Sequence, residues 1–114
     1  MKFVLMIYQP FPFDPKSLPA EEHAAIAAEY GAVSSTPQVT PGPPLGLPDD
    51  AKTVTVQDGK IVTTNGPYVG VAGAVGGFMI FDAASLDEAV ELAGRVPAAR
   101  LGGAVEIRPC AVYW

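Results

Sequence analysis

His23 is the only histidine in the chain. An imidazole ordinarily titrates near neutral pH, so the chemistry His23 offers is proton transfer to or from a bound molecule. Tyr8 and Tyr68 add phenolic hydroxyls that can orient a carbonyl or phenol oxygen by donating to it. The plainer roles are structural, with His23 a hydrogen-bonded packing residue at the end of an apolar stripe and the tyrosines packed aromatics. Cys110 is the single cysteine, cannot form an intrachain disulfide, and reads as a small buried hydrophobe. One histidine and one cysteine do not complete a tetrahedral metal site within a subunit. Gly70-Val71-Ala72-Gly73 lacks the spacing of a dinucleotide fingerprint or a P-loop, so neither a metal nor a cofactor is expected.

A helix must carry the histidine. Pro19 is tolerated in a first turn, and Glu21 and Glu22 suit the positive end of a helix reaching about Val33. Along it His23, Ile26, Ala27 and Tyr30 recur at i, i+3, i+4 and i+7 and share one stripe. Tyr8 closes a first strand from Lys2, in which Phe3, Leu5 and Ile7 oppose Val4, Met6 and Tyr8. Phe78 and Ile80 against Met79 and Phe81 repeat that doubly apolar pattern after Gly76-Gly77. Strands apolar on both faces need cover on both, and two helices cover only one, so a second copy of the sheet is the expected partner.

Asp58-Gly59 is a two-residue hairpin signature, and the register it sets pairs Val56 with Ile61 and Val54 with Thr63. The opposite face is mostly threonine, as expected for a partly exposed ribbon. Ser85-Leu86-Asp87-Glu88 is a capping box opening a second helix with the stripe Leu86, Ala89, Val90 and Ala93, which stops before Pro97. In a last strand, Ala104 to Arg108, Val105 and Ile107 oppose Glu106 and Arg108; the two charges either pair across a dimer or face a cleft. Ser34 to Asp50 holds five prolines and no periodicity, and is expected to be a loop that lids a binding cleft.

Composition sets the remaining bounds. The 114 residues suit a single domain over 1–114, with 49% apolar and 17% charged residues. The seven basic residues are scattered in a chain of net charge −5, which argues against nucleic acid. The apolar run at Met1–Tyr8 is short, and Gln9-Pro10-Phe11-Pro12 follows it in place of a small-residue cleavage site. No stretch approaches the roughly 20 apolar residues of a bilayer span. A cytoplasmic protein without membrane contact is the expectation.

Asn65-Gly66-Pro67-Tyr68 after the Asp58-Gly59-Lys60 turn resembles the Asp-Gly-Pro-Phe motif of the YCII-related (DGPF-domain) family. Gly76-Gly77-Phe78 and the run from Pro97 to Pro109 resemble that family's strand opening and C-terminal signature. The resemblance implies an α+β, ferredoxin-like subunit (β-α-β-β-β-α-β, an antiparallel sheet with two helices on one face) and a dimeric barrel-like assembly with a cleft in each subunit. It also implies that a histidine in the first helix, here His23, works with an aspartate just after the first strand. The chain reads Tyr8-Gln9-Pro10 there, and the nearest acid is Asp14. Where the family is polar, Val69 to Val75 is small and apolar, either packing or a pocket wall for a greasy ligand.

The combined expectation is a homodimer with an apolar small-molecule ligand. It acts as a cofactor-independent isomerase, cyclase or lyase on an apolar carbonyl or polyketide-like compound, with His23, Tyr8 and Tyr68 in catalysis. Ile26, Tyr30, Val69, Val71, Val75 and Asp14 are the expected substrate contacts. The alternative is a non-catalytic metabolite-binding or regulatory dimer.

Overall fold

The computed structural model describes residues 1–10, 15–68 and 73–113. In chain order the elements are β1 (Lys2–Pro10), α1 (Ala20–Ser34), β2 (Val39–Pro41), β3 (Lys52–Gln57), β4 (Lys60–Asn65), β5 (Gly73–Asp82), α2 (Leu86–Gly94) and β6 (Ala104–Pro109). β1, β2, β5 and β6 form an antiparallel sheet in the order β2-β5-β1-β6, and β3 and β4 form a separate two-stranded ribbon. Without the ribbon the chain runs β-α-β-β-α-β, which is the ferredoxin-like α+β order.

The doubly apolar pattern of β1 places it in the middle of this sheet, paired on both sides. Phe3 faces Phe81 and Leu5 faces Met79 on the inner side, where all four are buried. Val33 of α1 and Ala89, Leu92 and Ala93 of α2 close over them, with Val96 and Ala98 from the turn after α2. Both helices therefore lie on one face. Val4, Met6 and Ile80 are half-buried and Phe78 is exposed on the other face, which no described helix covers.

Several expectations change. The Pro-rich segment 34–50 is not wholly irregular, because Val39–Pro41 pairs with Phe81 to Met79 and supplies the edge strand. Proline's missing N–H is harmless at such an edge. Beyond it, Gly42 N–H donates to the Phe78 carbonyl and Leu45 N–H to the Gly76 carbonyl, both at 3.0 Å. The hairpin keeps its expected register, with Asp58 (φ 51°) and Gly59 (φ 75°) in its turn, but it stands outside the sheet. Its apolar face, Val54, Val56 and Ile61, is 59%, 68% and 76% exposed, while Thr53 and Thr55 on the other side are half-buried.

In α2, Ser85 Oγ accepts from Glu88 N–H at 3.2 Å, and Glu88 Oε2 accepts from Ala84 N–H at 2.7 Å, one residue before the amide expected. The buried stripe is Ala89, Leu92 and Ala93; Leu86 and Val90 face outward, since the sheet meets the helix on the Leu92 side of the stripe that the pattern placed there. Cys110 is exposed rather than buried, because it lies just past β6, beyond the core. Arg108 Nε donates to Glu106 Oε2 at 2.6 Å, so these two pair along their own strand.

Candidate functional site

α1 is rich in alanine on every side, and only Val33, near its C-terminal end, is buried. With so little side-chain volume to fill the gap, the N-terminal part of the helix leaves space between itself and the sheet. That space is a cavity of about 740 Å³, within the range of about 300–1,000 Å³ usual for small-molecule sites. The stripe foreseen along α1 lines it: Ile26 and Tyr30 are half-buried, His23 and Ala27 exposed, and the stripe faces empty volume instead of packed core. Ile7, Gly77 and Met79 form its floor. Pro41, Pro43, Pro44 and Leu45 to Pro48 form the opposite wall, which makes the Pro-rich segment a cover over the cavity.

Gln9 is a lining residue that sequence reasoning passed over. It falls where the family resemblance implies an aspartate, and its side chain lines the same cavity as His23. Gln9 Nε2 donates to the Tyr30 hydroxyl at 2.9 Å. With that acceptor position filled, the Tyr30 proton is left to donate to a ligand. The register of β1 against β5 shifts between Ile7 and Tyr8, so Gly76 is an extra residue. A Cβ at Gly76 would lie 2.8 Å from Gln9 Cγ, so glycine there gives the glutamine side chain its room. The alternation of β1 alone, which puts Gln9 on the Ile7 side, is the signal that could have found it.

Tyr8 and Tyr68 do not join His23. They line a second cavity of about 550 Å³ with Asp50, Ala51 and Pro67, and Tyr68 is 80% exposed. The division follows from the strand, since Tyr8 points to the face opposite Ile7 and Gln9. Leu45 to Pro48 and Val75 line both cavities and form the wall between them. Val75 belongs to β5 rather than to a loop. Val69, Val71 and Asp14 lie outside the described residues. Among the described residues no group of three or more His, Cys, Asp and Glu side chains could hold a metal ion, and no helix is long and apolar enough to cross a membrane.

One ion pair braces α1 from outside the cavity. The Arg100 guanidinium meets Glu29 in a two-point contact, Nη2 to Oε1 at 2.7 Å and Nη1 to Oε2 at 2.5 Å. The hydrogen bond from Arg100 holds the Glu29 carboxyl below its ordinary range, and the same bond raises Arg100.

The family model of the YCII-related domain matches residues 1–112. The chain belongs to the YCII-related family. Its ferredoxin-like sheet, the Asn65-Gly66-Pro67-Tyr68 motif behind the hairpin and the first-helix histidine are thus parts of one YCII-related domain. No curated protein matches this YCII-related chain.

Proposed function

We propose that the protein is a homodimer that binds an apolar carbonyl or polyketide-like molecule in the larger cavity and transforms it by proton transfer, as an isomerase, cyclase or lyase without a cofactor. His23 is the acid or base. The supporting observation is its position on the wall of a largely apolar cavity that Tyr30 also lines, with the acceptor side of the Tyr30 hydroxyl already occupied by Gln9. Tyr30 takes the orienting role first given to Tyr8 and Tyr68, which line the other cavity. The homodimer is supported by the outer sheet face, where Val4, Met6, Phe78 and Ile80 lack the polar alternation of a solvated antiparallel sheet.

The test uses 2-tetralone in heavy water, with deuterium uptake beside the carbonyl followed by NMR. The His23→Gln variant keeps a hydrogen-bonding group but shuttles no proton, and should lose the exchange by about 10²–10⁴-fold. A second reading, a non-catalytic metabolite-binding or regulatory dimer, is favoured by a different observation: among the described residues no carboxylate bonds His23. Binding of the ketone without any exchange would decide for it.

A further inference from the structure

Among the described residues, the acidic and basic side chains lining the two cavities, His23 aside, are both carboxylates, Glu22 in the larger and Asp50 in the smaller. No lysine or arginine lines either one among the described residues. The seven basic residues all lie within the described stretches, and segments 11–14 and 69–72 contain none. Arg100 is engaged with Glu29, Arg108 with Glu106 and Lys52 with Asn65. A bound carboxylate or phosphate would lose water without gaining a guanidinium or ammonium partner, which is costly in an apolar enclosure. The positive end of α1 does not make up the deficit, because Glu21 and Glu22 stand in its first turn.

We infer that the larger cavity selects by charge, accepting neutral or amine-bearing apolar molecules and rejecting carboxylates and phosphates. Glu22 is the selecting residue. This rests on the small-molecule reading above and narrows it: the substrate is a neutral carbonyl or phenol, or a compound whose charge is a cation near Glu22. Coenzyme A thioesters, nucleotides and free acids fall outside the class.

The test is calorimetric titration of the intact protein at pH 8 with three probes of one shape, 2-naphthylmethanol, 2-naphthylmethylamine and 2-naphthoate. The amine should bind at least as tightly as the alcohol, and the carboxylate about tenfold or more weaker than the alcohol. Glu22→Gln should remove the amine's advantage and leave the alcohol unchanged, and Glu22→Lys should reverse the order of amine and carboxylate. Ala27→Trp, which fills the cavity from α1, should weaken all three. Naphthoate binding as tightly as the alcohol overturns the charge selection while leaving the small-molecule site standing. Equal binding in the Ala27→Trp variant overturns it too, because the probes would then sit elsewhere. Failure of all three probes to bind removes the small-molecule reading and this inference with it.

Discussion

A methyl group added at Gly103 would strike the backbone of the strand that carries Tyr8. The new Cβ would fall well inside contact with the Tyr8 carbonyl oxygen, 3.2 Å from the Tyr8 carbonyl carbon and 3.0 Å from the Ala98 carbonyl oxygen. All three obstacles are main-chain atoms, so no rotamer change relieves them. The start of β6 would have to swing from β1, where Tyr8 pairs with Ala104, and the 3.0 Å bond from Gly103 N–H to the Ala98 carbonyl would weaken. Overpacking costs about 1–3 kcal/mol, and one or two compromised hydrogen bonds add about 0.5–1.5 kcal/mol each. The sum is about 1.5–6 kcal/mol, a large part of the 5–15 kcal/mol or so that holds a domain together. With a urea dependence of about 2 kcal/mol per molar, Gly103→Ala should lower the unfolding midpoint by about 1–3 M at fixed protein concentration. Gly94→Ala is the control of opposite sign: it ends α2 with nothing within 4 Å of the added carbon, and should stabilise by about 0.5–1 kcal/mol. A Gly103→Ala protein as stable as the parent would refute the close approach of β6 to β1.

Leu92→Ala should destabilise by about 2–5 kcal/mol, whereas Leu86→Ala, on the outward side of α2, should stay within about 0.5 kcal/mol; equal losses in thermal melts would mean the helix is rotated. Sedimentation at micromolar concentration should return twice the 11.8 kDa chain mass, and Met6→Lys on the outer sheet face should return the single mass; a parent protein that sediments as a monomer at every concentration removes the dimer. Glu29 is held low by Arg100, so its contribution is present above the ordinary carboxylate range and fades as pH falls through the lowered folded value. Comparing acid unfolding of Glu29→Gln with the parent should show less loss of stability below about pH 4.5 in the variant, and identical acid limbs would speak against the pair. Amide exchange should be slowed at Gly42 and Leu45, whose N–H groups bond to β5; exchange there as fast as at the exposed Asp49 would contradict that attachment.

The doubly apolar strands, the Asp58-Gly59 turn and the cap at Ser85 were legible because each is a local rule, a period or a pair of residues acting within a few positions. Which strands share a sheet is not local. The hairpin had the strongest strand signals in the chain yet stands apart, while Val39-Thr40-Pro41, with a proline inside, became the edge strand because β5 offered it unpaired main-chain groups. The α1 stripe was readable, but periodicity does not distinguish a face packed on a core from one that lines a cavity, and the abundance of alanine decided for the cavity. Tyr8 and Gln9 are neighbours in sequence with opposite fates, since one residue along a strand exchanges one face for the other.

The ribbon has a consequence for the order in which the chain can fold. β2 and β5 must meet across a long stretch of sequence, and the cost of closing such a loop rises with its length. β3 and β4 close locally around a two-residue turn, on a timescale of about 1–10 µs. Once formed, the ribbon brings Ala51 and Gly66 together, joined by the 2.9 Å bond from Gly66 N–H to the Ala51 carbonyl. That shortens the remaining span between the two sheet strands roughly by half, saving about 0.6 kcal/mol of closure entropy. The hairpin adds no strand to the sheet, but it acts as a staple that lets the β2 edge of that sheet find its place early. Replacing Asp58-Gly59 with a long flexible linker should therefore slow refolding in stopped-flow mixing more than it speeds unfolding.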